Sequence, residues 1–139
     1  MWWDEYVKAW NSHDGRAVAA FMTLDGVYVD APIGARNEGR DAIAAWIDSI
    51  GPTLSSDFTF ESVSFIQSGD RYAAEWITAG THDGSSPGMP ATGRQFAIHG
   101  VSIGELEDGK IRRNTDYWNM VEFLIQLGAM PAPEGAASH

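Results

Sequence analysis

The sequence contains no cysteine. That excludes disulfides, thiolate metal sites and a cysteine nucleophile, and it leaves the redox compartment open. Positive charge is also scarce, with nine Lys and Arg against nineteen Asp and Glu, a net charge of -10 and a pI near 4.6. Such a surface repels phosphate backbones and anionic headgroups, so no nucleic-acid and no membrane partner is expected. No apolar run approaches the roughly 18 residues that span a bilayer. The start, Met1-Trp2-Trp3-Asp4-Glu5, lacks the basic and then apolar regions of a secretion signal, and the expected location is cytoplasmic. His13, His82 and His139 fall in a helix end, a loop and the tail, with no pair at ligand spacing, so no metal site is expected. Neither a phosphate-binding glycine pattern nor a Gly-x-Ser-x-Gly elbow is present, and no cofactor is expected.

What the chain does have is aromatic mass: six Trp, six Phe and four Tyr in 139 residues, enough to line a hollow as well as fill a core. The length suits one domain, expected over residues 1–128, with a flexible tail over 129–139. Helical spacing runs through Trp3, Tyr6, Val7 and Trp10, ending at Asn11 to Gly15. A second helix is predicted from Arg16 to Met22. Asp25-Gly26 reads as a turn, Val27 to Asp30 as a short strand stopped at Pro32, and the following Gly/Arg/Asn stretch as a loop. A third helix starts at Gly39-Arg40-Asp41, with Ile43, Trp46, Ile47 and Ile50 on one face. The second half reads as strands, Phe58 to Gln67, Arg71 to Thr81, Gln95 to Leu106 and Ile111 to Trp118, before a last short helix from Val121 to Leu127. Helices first and a meander afterwards predict an α+β fold: a curved antiparallel sheet forming a cone, or α+β barrel, capped by three N-terminal helices, with a short C-terminal helix. Glycines in the strands allow the bending that such a cone needs.

Two stretches of residues resemble known families. Tyr6-Val7-Lys8-Ala9-Trp10-Asn11-Ser12-His13-Asp14, then Phe21, Val27 to Gly34 and Gly39 to Ile43, resemble the start of ketosteroid isomerases. Gly109-Lys110-Ile111 followed by Asp116-Tyr117-Trp118-Asn119 is similar to limonene-epoxide hydrolases and SnoaL-like polyketide cyclases. All belong to the nuclear transport factor two-like superfamily, and the resemblance spans nearly the whole chain. By that resemblance the isomerase oxyanion tyrosine matches Tyr6, while the isomerase base falls on Ala31 and its acid partner near Gly100. The hydrolase tyrosine and amide that position water match Tyr28 and Asp30, and its last-strand aspartate matches Asp116. Its arginine and second aspartate fall near Trp76 and Thr78. The cyclase last-strand aspartate, an acid/base, matches Asp116, and the cyclase histidine falls near Ser102. Many relatives pair through the outer face of the sheet, so the resemblance implies a homodimer.

Candidate chemistry therefore centres on Asp116, with Asp30 and Tyr28 beside it. A carboxylate on the concave face would be partly desolvated and its pKa raised toward a useful range. The alternative is an outward aspartate paired with Arg112 or Arg113. Two carboxylates in one apolar pocket would disfavour double ionisation, leaving one as acid and one as base. Tyr28 shares a strand face with Asp30, because strand side chains alternate with period two. Trp46, Trp76, Phe96, Ile98 and Trp118 are candidate pocket walls, together with Tyr6, whose helix face with Trp3 and Trp10 also fits core packing.

His99 depends on strand register. A two-residue turn at Asp108-Gly109 would pair Glu107 with Lys110 and put Asp116 on the face of His99. A bulge at Gly109 would pair Leu106 with Lys110 and group Asp116 with Phe96, Ile98, Gly100 and Ser102. The Glu-Asp-Gly sequence favours the bulge, with His99 outward. The expectation is a cofactor-independent acid/base enzyme, of cyclase, isomerase or epoxide-hydrolase type, acting on a hydrophobic small molecule such as a polyketide or terpenoid. The alternative is a non-catalytic module that binds such a ligand.

Overall fold

The computed structural model describes residues 1–133, and the last part of the expected tail lies outside the described residues. Helix α1, Trp2–Asn11, buries Trp3, Tyr6 and Trp10 along one stripe, as their spacing requires. Asp14 then caps α2, Gly15–Ala19, its side chain accepting from the amide of Arg16 at 2.9 Å. This helix ends earlier than its apolar spacing predicts, because Met22 already belongs to a strand.

That strand, β1, runs Met22–Asp30, straight through the Asp25-Gly26 pair read as a turn. Residues between Met22 and Val27 form an irregularity in its pairing, which is where the turn-forming residues sit. The predicted loop after Pro32 contains a further strand, β2, Ala35–Glu38, which closes a hairpin on β1. Helix α3, Arg40–Asp48, and the single turn α4, Ile50–Thr53, follow. Then come β3, Thr59–Ser68, β4, Arg71–Thr81, β5, Gln95–Glu107, and β6, Lys110–Trp118, before α5, Met120–Gln126.

The six strands make one curved sheet in the order β2-β1-β6-β5-β4-β3. It is not wholly antiparallel: β1 and β6 run parallel, because β1 enters the sheet beside the last strand of the meander. The α+β fold otherwise stands as expected, with α1 to α3 packed on one side of the sheet against Tyr28, Tyr72, Ala74 and Trp76. A smaller apolar cluster, Phe96, Ile98, Phe123 and Leu127, lies under α5. No helix among the described residues is long and apolar enough to cross a membrane.

The turn between β5 and β6 is the two-residue form. Asp108 and Gly109 both have positive φ, 51° and 77°, and Glu107 pairs with Lys110. Asp116 nevertheless faces the helices. The register shifts between Glu105 and Leu106: Leu106 pairs with Ile111, Glu105 with Arg113, and Arg112 is the extra residue. One inserted residue flips every later side chain of β6 to the other face. Arg112 itself turns out to ion pairs with Glu105 and Glu107, and His99 is exposed on the outer face.

Candidate active site

Register places the polar residues of the inner face in two rows. Ala74, Ser102, Asp116 and Asp30 stand opposite one another across β4, β5, β6 and β1. The next row holds Tyr72, Gly104, Asn114 and Tyr28 on the same strands. These rows converge on one carboxylate. Asp116 Oδ1 accepts from Ser102 Oγ at 2.6 Å and from Asn114 Nδ2 at 2.8 Å, and Oδ2 accepts from the hydroxyl of Tyr28. The donors are themselves held: Trp76 Nε1 donates to Ser102 Oγ at 2.9 Å, and the Tyr72 hydroxyl to Asn114 Oδ1 at 2.5 Å.

Two glycines make that second layer possible. Trp76 lies across Gly100, and Tyr72 across Gly104, in space that a Cβ would occupy. Without a side chain at either position, the indole lies over β5 and reaches Ser102 on that strand, and the Tyr72 ring crosses β5 to Asn114 on β6.

Asp30 is the other inward carboxylate, its Oδ1 accepting from Trp118 Nε1 at 2.9 Å. Burial first, and the charge of Asp116 second, push its pKa up to about 6, with the Trp118 donor opposing. Burial also raises Asp116 above the usual carboxylate range, against the pull of Ser102, Tyr28 and Asn114, which favour the anion. Tyr28 is pushed well above its ordinary value by burial and then by the Asp116 charge, so it remains a donor.

Asp116, Asp30 and Tyr28 line a cavity of about 300 Å³, at the small end of the range for ligand pockets. Trp46, Trp76, Phe96, Ile98 and Trp118 stand on its wall. Trp118 packs edge-on against Phe123 of α5 at 5.6 Å, which fixes the indole that holds Asp30. Tyr6 does not reach this cavity; it is buried between α1 and the sheet, among Trp3, Trp10 and Phe21. Among the described residues no lysine, arginine or histidine lines the cavity, so neither carboxylate has a counter-charge from them there. A wider, more open groove of about 980 Å³ passes Gln95, Ala97 and His99 on the outer face, away from both buried acids. Among the described residues no cluster of three or more His, Asp or Glu could hold a metal ion.

Sequence reasoning did not single out Asn114, Tyr72 or Ser102 as partners of Asp116. The signal for Asn114 was its position two residues before Asp116 on one strand face. Leu54 and Phe58, before β3, and Met89, in the β4–β5 loop, also line the cavity and lay outside the predicted walls.

The SnoaL-like domain profile matches residues 3–114. Aklanonic acid methyl ester cyclase DnrD of Streptomyces peucetius is 31% identical over 133 residues, covering 93% of this chain and 90% of the cyclase. The chain belongs to the SnoaL-like family. Nogalonic acid methyl ester cyclase of Streptomyces nogalater is 33% identical over 98 residues, 70% of this chain and 73% of that protein. Among solved structures, a putative polyketide cyclase from Xanthomonas campestris pv. campestris superposes with a TM-score of 0.80 at 27% identity, covering 89% of this chain and 92% of that one. The fold is shared with an NTF2-like protein of solved structure, and fold alone does not name a reaction.

Proposed function

We propose that the protein is a cofactor-independent acid/base enzyme of the polyketide-cyclase kind, closing a ring in a hydrophobic ester. The observation that carries this reading is the setting of Asp116: a buried carboxylate on an apolar cavity, held by three neutral donors and paired with no cation among the described residues. Neutral donors fix the direction of its lone pairs without neutralising it, which leaves a base whose affinity for a proton is raised by burial. Two relatives bear the names of acid methyl ester cyclases.

The chemistry needs only a proton carrier. A carbon between carbonyl groups gives its proton to Asp116. The resulting enolate carbon forms a bond to a ketone carbon of the same molecule, and the ketone π pair becomes an alkoxide. The alkoxide then takes a proton back from the carboxylic acid, so no proton is gained or lost overall. Tyr28 would keep Asp116 aimed at the cavity. Asp30, with a pKa of about 6, would orient the carbonyl or hold the returning proton. The aromatic walls would exclude water from the enolate.

Isomerase and epoxide-hydrolase chemistry have less support, since the isomerase base position is Ala31 and the hydrolase arginine and second aspartate positions are Trp76 and Thr78. The deciding experiment incubates the protein with anthracycline-type acid methyl esters and follows ring closure by mass-neutral chromatography. Asp116→Asn should lower kcat roughly 100- to 10,000-fold while the fold is retained. Full turnover by that variant would overturn the role of Asp116. An ester bound tightly by the wild-type protein and recovered unchanged would favour the receptor reading.

A further inference from the structure

The hydroxyl of Tyr6 is buried and makes no hydrogen bond of good geometry among the described residues, the indole N–H of Trp10 being turned toward it without closing one. Such a group costs free energy unless something satisfies it, and orphaned buried hydroxyls are uncommon in folded proteins. Tyr6 lines a second, small void of about 20 Å³ between α1 and the sheet. Asp116, Tyr28 and Trp76 line both this void and the main cavity, so Asp116 stands at the partition between them. Ser102 lines the void as well.

The void meets both conditions for holding a water: at least roughly 10–15 Å³ and two to four polar partners. Its remaining walls, Trp3, Val7, Trp10 and Phe60, are mainly ring and aliphatic surface apart from the Trp10 indole N–H near Tyr6, so the other polar contacts concentrate on Tyr6, Tyr28, Ser102 and Asp116. The acceptor count also leaves space. An ionised carboxylate has about four acceptor sites, and three donors occupy Asp116. Ser102 Oγ has two lone pairs and accepts one bond, from Trp76.

We infer that one water molecule occupies this void, bridging the Tyr6 hydroxyl to the Ser102–Asp116 pair, and that Tyr6 is thereby a positioning residue for Asp116. The water satisfies Tyr6 and adds a fourth hydrogen-bonded link to a carboxylate that has no counter-ion. Tyr6 thus acts on Asp116 from the side opposite the substrate, through a partner that is neither backbone nor side chain. The importance of this link for catalysis rests on the proton-carrying role of Asp116, but its existence does not.

The test uses the full chain and no substrate. A high-resolution crystal structure should show ordered density within hydrogen-bond distance of Tyr6 Oη and of Ser102 Oγ or an Asp116 oxygen. The carboxyl carbon of Asp116, assigned in NMR by its loss in Asp116→Asn, should titrate about one pH unit higher in Tyr6→Phe, because the anion loses a donor network. Tyr6→Phe should also lower Tm. A dry void, with the Asp116 titration unmoved and Tm equal or higher in Tyr6→Phe, overturns the inference, since removing an orphaned hydroxyl is neutral or stabilising. Density for the water with an unmoved titration overturns the positioning role. If Tyr6→Phe does not fold, the wild-type density alone decides between a wet and a dry void. Failure of turnover in any assay bears on the cyclase reading and leaves these readouts untouched.

Discussion

Asp30 and Asp116 are paired neighbours across the parallel strands β1 and β6, both pointing to the inner face, with the Ala31 amide donating to the Asp116 carbonyl at 3.0 Å. Two acids so placed, without a cation between them, resist ionising together. Strand pairing, not a local motif, brings them side by side, since they lie in distant parts of the chain.

Burial first, and the pairing second, set a pH dependence of stability. Asp30 titrates near 6 when folded and near 3.8 when unfolded, so the folded state binds its proton more tightly. Its contribution is fully present below about pH 3.8 and is lost as pH rises through about 6. Asp116 is raised too and acts in the same direction. The exposed Asp57 and Asp83, lowered by hydrogen bonds from Thr81 and Ser56, act in the opposite direction and lose their contribution in acid. Thermal melts should therefore show Tm falling between pH 5 and 7.5, and Asp30→Asn should flatten that slope. Asp116→Asn should lower the pKa of Asp30, by removing the charge that raises it. An unchanged Asp30 titration in that variant would show that the two acids are not coupled.

Gly100 is predicted to be intolerant of a methyl group. A Cβ there would meet the ring of Trp76, the donor that holds Ser102 on Asp116. Gly100→Ala should cost roughly 1–3 kcal/mol in urea unfolding, as overpacked core sites do. It should also lower kcat, by letting Ser102 turn away from the carboxylate. A variant as stable and active as the wild type would mean that the indole does not need the space over Gly100.

How much of this arrangement is legible in the sequence depends on how local its cause is. Helix α1, the strands β4 to β6 and the placement of Tyr28 beside Asp30 follow from apolar periodicity. Strand β2 does not, because Ala35-Arg36-Asn37-Glu38 sits on the sheet edge, and its half-buried positions, Ala35 and Asn37, give no apolar alternation to leave a trace. The parallel contact of β1 with β6 joins distant segments and has no local signature. Tyr28 and Ser102 were placed with Asp116, by the resemblance and by the strand face, but Asn114 and Tyr72 were hidden, because their link to the carboxylate arises only through long-range register. Gly100 and Gly104 were visible as bend points, but their use, as passages for Trp76 and Tyr72, is a property of the packed sheet.

The outer face carries its own expectation. Ile66, Ala73, Ile103 and Thr115 align across β3, β4, β5 and β6. Ile66, Ile103 and nearby Tyr117 are 71%, 44% and 51% exposed. A second copy is expected to cover this apolar strip, giving a homodimer. Sedimentation should find the dimer at micromolar concentration, and Ile103→Lys should shift it to monomer with little change in Tm. A wild-type monomer at that concentration would remove the claim.

The last prediction concerns Arg112, the residue that sets the parity of β6. The two-residue turn at Asp108-Gly109 pairs Glu107 with Lys110, and unbroken alternation from there would carry Asp116 to the outer face beside His99. The extra residue at Arg112 reverses this, so that Ile111 and then Asn114 and Asp116 all face inward. Deleting Arg112 should therefore only straighten the strand: Arg113 then follows Ile111 directly, stays opposite Glu105, and Asn114 and Asp116 keep their inward positions. One alanine inserted between Arg113 and Asn114 shifts the parity instead, turning Asn114 and Asp116 outward and Thr115 and Tyr117 inward. Arg112→Ala keeps the backbone count and loses only half-exposed ion pairs with Glu105 and Glu107, which are worth little. The alanine variant and the deletion should both fold and keep Asp116 buried, and the insertion should give no cooperative unfolding transition. An insertion variant that melts cooperatively and keeps a buried Asp116 would mean that the bulge widens to absorb the added residue and does not set the parity.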